Sequence, residues 1–283
     1  MNYRHIYHAG GFSDVFKHII LITLIQFLLK KEKPFCYIDT HAGIGHYDLQ
    51  LESAQKTQEF QRGISKLWEL TDHDIPDSVS TYLTIVQAWN QKMTQHSRLS
   101  HYPGSPILVR ALLRDIDRMI LAELHPEDAQ TLKQLFRWDK QVATHFLDGY
   151  TAFKAFLPPK EKRGLILIDP PFERTDEFET IIRQLTFGIH RWRSGIYAIW
   201  YPLKNPLLVN LFYKNLSNVA QKEIVCYELH MPQKQVSDHG MNACGMAIIH
   251  PPWGFKAVLE IILPWLCNKL GEGAKWVKYD PHY

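Results

Sequence analysis

The sequence Asp169-Pro170-Pro171-Phe172 directly follows the apolar run Leu165-Ile166-Leu167-Ile168. Two adjacent prolines at a strand end are costly unless the turn must be rigid. Held that way, the Asp169 carboxylate and the Pro170 carbonyl can each accept one N–H of a planar amino group. Such an amine is a poor nucleophile, because its lone pair is delocalised into the ring that carries it. Two acceptors favour a pyramidal nitrogen and aim its lone pair at an electrophile. Phe172 can stack on the ring, a contact of roughly 1–3 kcal/mol. Direct displacement is then helped mostly by positioning and electrostatics. The plainer reading is a rigid structural turn.

Three other acids occupy equivalent places. Asp39 closes an apolar run and opens Asp39-Thr40-His41-Ala42-Gly43-Ile44-Gly45, whose glycines let a ligand approach the backbone. A lone G-x-G is weak, and this is not the G-x-G-x-x-G of a dinucleotide site. Glu123 ends the next core strand, where a carboxylate can accept both hydroxyls of a ribose. Asp148-Gly149 follows the third strand, and Asp148 can accept the exocyclic amine of an adenine. A solvated loop acid and a turn are the plain alternatives for these two. Their order, each one strand after the glycine turn, is what joins them. His18 and His41 lie near Lys17 in this pattern, but no third ligand at zinc spacing accompanies them, and no metal is expected.

The elements that position these residues follow from hydrophobic periodicity. Ser13-Asp14 reads as an N-cap and first turn, with a helix over 14–31. Residues 35–39 read as a buried strand. Residues 52–100, rich in Gln, Lys, Ser and Thr with apolar residues at helical spacing, predict two or three helices with a turn at 74–77. Helix and strand then alternate. Helices are expected over 105–114, 127–137, 150–157, 176–190 and 256–270. Strands are expected over 119–123, 142–147, 165–168, 196–201, 223–230 and 246–249. Continuous apolar strands between helices mean a parallel sheet covered on both faces. The four strand-end carboxylates then share the carboxyl edge, where open α/β sheets bind ligands.

The Asp-x-x-x-Gly-x-Gly spacing resembles the first motif of S-adenosylmethionine (SAM) methyltransferases. Asp169-Pro-Pro-Phe172 resembles the Asp/Asn-Pro-Pro-Tyr/Phe motif of those that modify planar amino groups. The resemblance extends to the ribosomal large subunit methyltransferase J family. It is carried by Tyr3-Arg4-His5, His8-Ala9-Gly10, Asp14-Val15-Phe16-Lys17-His18, Tyr102-Pro-Gly-Ser105-Pro, Glu123-Leu-His125-Pro, Trp200-Tyr-Pro and Gly240-Met-Asn-Ala-Cys-Gly-Met. These blocks run in order from Tyr3 to Trp253. Two departures are Phe172 in place of the commoner Tyr, and His250 where Asn is expected.

The resemblance implies a Rossmann-like class I fold, α/β with a mostly parallel doubly wound sheet. It spans 1–51 and 101–283, with a helical subdomain inserted at 52–100. It implies methylation of adenine N6 in 23S ribosomal RNA, with SAM as methyl donor. Lys17, His18, His41, Gly43, Ser105, Glu123, Asp148, Gly149 and Asp169 would line the SAM pocket. Asp169, Pro170 and Phe172 would act at the target amine, and Tyr3 and Arg4 would touch the RNA. The alternatives are transfer to DNA adenine or a protein glutamine, or an RNA-binding assembly factor without catalysis.

Composition agrees with a large globular domain. The 283 residues are 46% hydrophobic and 22% charged, with a net charge of +3. That excludes a disordered or collagenous chain. The mild positive charge permits a nucleic-acid partner without requiring one. The four cysteines form no C-x-x-C pair, so reduced thiols and a cytoplasmic location are expected. Residues 19–29 form an apolar run about half the length of a membrane span, which predicts a buried helix and no membrane partner. A monomer acting on naked 23S RNA or an early assembly intermediate completes the expectation.

Overall fold

A computed structural model of the chain describes residues 4–70, 74–94, 98–219, 223–232 and 241–281. In chain order, helix α1 (Phe12–Leu29) leads into strands β1 (Cys36–Asp39) and β2 (His46–Asp48). Helices α2 (Glu52–Thr57), α3 (Ser65–Trp68) and α4 (Asp77–Thr94) follow, then β3 (His101–Pro103) and α5 (Ser105–Arg110). Next come β4 (Arg118–Glu123), α6 (Pro126–Leu135), β5 (Val142–Phe146), α7 (Ala152–Phe156), β6 (Gly164–Ile168) and α8 (Glu177–Arg191). The chain continues through β7 (Ile196–Pro202), α9 (Pro206–Val219), β8 (Ile224–His230), β9 (Ala243–Ile249), α10 (Phe255–Leu270) and β10 (Lys275–Tyr279).

Among the described residues, eight strands form one sheet in the order β10-β8-β9-β7-β6-β1-β4-β5, and β2 pairs with β3 apart from it. The strands β5, β4, β1, β6 and β7 are parallel. Strand β9 is antiparallel to both β7 and β8, and β10 is antiparallel to β8. This is a Rossmann-like, mostly parallel α/β sheet. The direction of winding reverses between β1 and β6, and a crevice opens at the carboxyl ends of strands around such a switch point.

Both faces of the sheet are covered, so the central strands are apolar throughout. Tyr37, Leu165 and Leu167 join the core beneath α1, while Ile38, Ile166 and Ile168 join the opposite core with Ile181 and Leu185 of α8. Helix α1 has the length and apolarity of a membrane span, but 83% of its 18 residues are buried inside the fold. Its second face is covered by the 52–100 segment: Ile64, Leu67, Val79, Tyr82 and Val86 lie in the same core as Ile19 and Ile22. A helix apolar all round needs such cover on two sides. All four cysteines are buried and unpaired with one another.

Several expectations need correction. Helix α1 starts at Phe12 with Gly11 as N-cap, so Ser13 lies inside the first turn. The reason is Asp14, which reaches back to accept the Gly10 N–H at 3.0 Å. The helix expected to reach residue 114 ends at Arg110. Helix α9, strand β10 and the β2–β3 pair are additional to the expected elements. The β2–β3 pair joins His46–Asp48 to His101–Pro103 across the whole 52–100 segment, which local periodicity does not reveal.

Candidate active site

The carboxyl ends of β1, β4, β5 and β6 meet the first turns of α1 and α5 around a cleft of about 340 Å³. Lys17, His18, His41, Gly43, Ser105, Glu123, Asp148, Gly149 and Asp169 all line it.

Lys17 is the centre of the charge arrangement. Its Nζ lies 2.6 Å from Asp169 Oδ2 and 2.7 Å from Asp14 Oδ1, and its side chain is only 6% exposed. Burial alone would lower the ammonium pKa, but Asp14 and Asp169 outweigh it and hold it above its ordinary value. Asp14 is itself 2% exposed and accepts from His5 Nε2 at 2.9 Å with its other oxygen. Burial opposes its ionisation, yet His5 and Lys17 keep its pKa well below the usual carboxylate range. A line of paired polar groups, His5–Asp14–Lys17–Asp169, thus runs into the cleft.

Glu123 is fixed by two backbone donors, Gly43 N and His125 N, each at 2.8 Å. Burial raises its pKa, against the pull of those two N–H groups. A carboxylate has about four lone-pair sites, so two stay available to a ligand. Gly43 sits at φ +62°, and a Cβ there would come 2.4 Å from the Tyr47 hydroxyl. At Gly149 a Cβ would lie 2.1 Å from the Thr40 carbonyl oxygen. Those two loops touch backbone to backbone, and only glycine permits it.

The two histidines are held neutral. His18 Nδ1 lies 2.7 Å from the Tyr102 hydroxyl, and burial with the nearby Lys17 holds its pKa well below normal. Burial lowers His41 to about 4, although Asp169 and Asp148 oppose it. Among the described residues, no group of three His, Cys, Asp or Glu side chains is placed to hold a metal ion.

Asp39 stands behind the rim. It is fully buried and accepts from the Tyr37 and Ser105 hydroxyls, each at 2.7 Å. Tyr37 and Asp39 are two residues apart on one strand and so share a face. The expected set of four rim acids is therefore three, with Asp39 bracing β1 against α5. Burial pushes the Asp39 carboxyl from 3.8 up to about 6, against the hydrogen bonds from Ser105 and Tyr37. The folded state then holds this proton more tightly than the unfolded chain does. The stability due to Asp39 falls as pH rises from about 4 to about 6, by an amount on the order of 2–3 kcal/mol. Asp39→Asn should abolish that component. Denaturant titrations at pH 4, 5, 6 and 7 should show the wild type losing ground to the variant across this window. Parallel profiles would refute the assignment.

The family model described as "Ribosomal RNA large subunit methyltransferase D, RlmJ" matches residues 32–279. The chain belongs to the RlmJ family. A relative named Ribosomal RNA large subunit methyltransferase J, from Haemophilus influenzae, is 38% identical over 282 residues, covering 99% of this chain and 98% of the relative. One of the same name from Escherichia coli is 38% identical over 271 residues, covering 95% and 94%. A crystal structure of a Legionella pneumophila protein superposes with a TM-score of 0.87 at 34% identity, covering 96% of this chain and 98% of that one.

The remaining candidates of this RlmJ-family chain lie around the cleft or beyond it. Pro170 is buried, and Pro171, not Pro170, lines the cleft. Phe172 adopts φ +50° and does not line it. Its ring packs against Phe178 and Trp200, with centroids 5.0 and 5.8 Å away. A positive φ at a non-glycine residue is uncommon and tends to mark functional sites. Arg4 is ion-paired with Glu127 at 2.8 Å and Asp128 at 3.0 Å, so this part of the N-terminus is tethered beside the cleft. Tyr3 lies outside the described residues.

Sequence reasoning passed over Tyr47, Asp128, Tyr150, Glu173, Arg174 and Glu177, which also line the cleft. It also gave Asp14 no role beyond the helix start and the family block. The available signal was its i,i+3 spacing to Lys17 in a helix otherwise almost free of charge.

Proposed function

We propose that this chain transfers a methyl group from SAM to the exocyclic N6 of an adenine in 23S ribosomal RNA. The observation that carries the reading is Asp169. It stands at the carboxyl end of β6, on the cleft, with Oδ2 held by a buried lysine. Family membership supports ribosomal RNA as the substrate class. The acceptor atom and the roles of the residues are our inference from chemistry and position.

The cleft suits the donor. Among the described residues its lining carries six acids, Glu123, Asp128, Asp148, Asp169, Glu173 and Glu177, against two strong bases, Lys17 and Arg174. Such a field favours a cation over an anion. When bound, SAM supplies a methyl group on a positively charged sulfur. Glu123 would accept the ribose hydroxyls with its two remaining lone-pair sites, and Asp148 the amine of the donor's adenine. Gly43 and Gly149 line the cleft beside these acids, where the ligand would lie.

At the acceptor, Asp169 and the Pro170 carbonyl would each take one N–H of the target amine. That localises the nitrogen lone pair and turns it toward the donor. Lys17 keeps the Asp169 carboxylate in one orientation, so the acceptor is in place before the base arrives. The proton released after transfer can leave through Asp169 to solvent. Phe172 is half-buried and packed against Phe178 and Trp200, so any contact with the base would be made beside the cleft and not within it.

Glu123→Ala should weaken SAM binding by about 10–100-fold, the loss of a charge-assisted pair of hydrogen bonds. Titration calorimetry with SAM reads this directly, and an unchanged Kd would remove Glu123 from the site. The reading as a whole is tested by mass mapping of methylated adenines in 23S RNA from cells with and without the protein. A map that does not change rejects it.

A further inference from the structure

The charge of the molecule is segregated, and not in the direction that an RNA-modifying cleft would suggest. Among the described residues the cleft lining is dominated by acids. A phosphate backbone gains little there, because like charges repel in a partly desolvated crevice. The opposite edge of the sheet, where the parallel strands begin, is cationic. The loops leading into β1, β4, β5 and β6 all reach that edge. Across residues 30–33, 114–118, 137–141 and 160–163 stand ten lysines and arginines against five acids.

Most of those acids are already neutralised by arginine. Asp117 is bound by Arg114 at 2.8 Å, Glu161 by Arg118 at 2.9 Å, and Asp139 by Arg110. Lys31, Lys33, Lys160 and Lys162 are exposed, and Lys140 and Lys160 border one shallow depression. The backbone beneath them is braced. Arg114 donates to the carbonyls of Lys31 at 3.0 Å and Lys33 at 3.2 Å, and Arg163 donates to Lys33 at 2.7 Å. An exposed aromatic completes the surface: Trp138 is 83% exposed, with the Arg137 guanidinium 5.3 Å from its ring centroid.

We propose that this edge, remote from the cleft, is a second RNA-binding face that holds the phosphate backbone of the substrate while the cleft takes one base. It rests on the reading that the substrate is ribosomal RNA. Cations beside an exposed aromatic on a braced backbone match a polyanion that also offers unpaired bases for stacking. The core strands span about 17 Å, so a long folded RNA can engage both edges and a short fragment cannot.

The test is a quadruple variant, Lys31→Glu, Lys33→Glu, Lys160→Glu and Lys162→Glu, in the full chain. All four side chains are exposed, and an unchanged thermal transition confirms the fold. Two RNAs are compared: the full 23S transcript, and a short fragment around the mapped adenine. Filter binding, which needs no turnover, should show at least tenfold weaker binding of the full transcript at 50 mM salt. The salt dependence should also be shallower, by about 0.9 in log–log slope for each duplex phosphate that the variant no longer neutralises. KM for the full transcript should rise in parallel with kcat unchanged, while the fragment is bound and methylated as by the wild type.

Binding of the full transcript within twofold of wild type overturns the proposal. So does equal weakening for both RNAs, which would place the effect at the cleft. Loss of binding to phosphatidylglycerol vesicles with RNA binding intact would assign the face to a membrane instead. If the wild type binds the transcript but methylates no adenine, the proposed activity fails while binding still reports on the face.

Discussion

Asp169→Ala is expected to reduce methyl transfer to 23S RNA by at least about 10²–10³-fold, the loss that follows removal of one preorganised polar group from a reacting centre. SAM binding should stay within a few-fold, because Glu123, Asp148 and the glycine turn are untouched. Asp169→Asn should be nearly as inactive. Lys17 Nζ donates to Oδ2 at 2.6 Å, so an amide there would turn its oxygen toward Lys17. Its NH2 group would then face the target amine, donor against donor. Radiolabelled methyl transfer to a 23S transcript, paired with calorimetric SAM binding, separates chemistry from affinity. An alanine variant turning over within tenfold of wild type would sink the mechanism.

The largest expected effect on stability is at Lys17. Lys17→Met leaves Asp14, which is 2% exposed, without its ammonium partner. Breaking a buried pair by removing one member typically costs about 3–5 kcal/mol, because the other charge stays buried. A fall in Tm on the order of 10 °C follows for a domain of this size. Adding Asp14→Asn should recover a large part, since a neutral amide can still accept from the Gly10 N–H. The double-mutant cycle measures that coupling. A Lys17→Met variant within 1 kcal/mol of wild type would show that Asp14 does not depend on Lys17.

The first of these predictions joins residues that lie far apart in the chain, whereas Asp14 and Lys17 of the second are one helical turn apart. Lys17 and Asp169 are separated by 152 positions, and no periodicity or motif spacing announces that they meet. The same holds for Arg4 with Asp128 and for Gly43 with Glu123, 124 and 80 positions apart. What was readable along the chain was each member's local setting: a carboxylate after an apolar run, a glycine after a strand, a lysine in the first turns of a helix. Elements that depend on a distant partner leave little local signature. Strand β10 is an exposed edge that exists by pairing with β8, and the three-residue strands β2 and β3 exist only by pairing with each other. Helix α9 is hidden in the sequence for a different reason: Pro206 to Tyr213 is densely apolar, and a helical stripe does not stand out from it.

Local sequence determined that strands and helices alternate, that the strands are buried on both faces, and that a rigid turn carries Asp169 at a strand's end. Backbone preference and solvent exclusion act over a few residues, so these features are written in short stretches. Only the tertiary structure decided which acids open on the cleft. Asp39 and Asp169 both end central strands, yet one is sealed beneath α5 by two hydroxyls while the other meets a buried ammonium at the surface of the crevice. A side chain's ionisation and reach depend on what the rest of the chain packs against it.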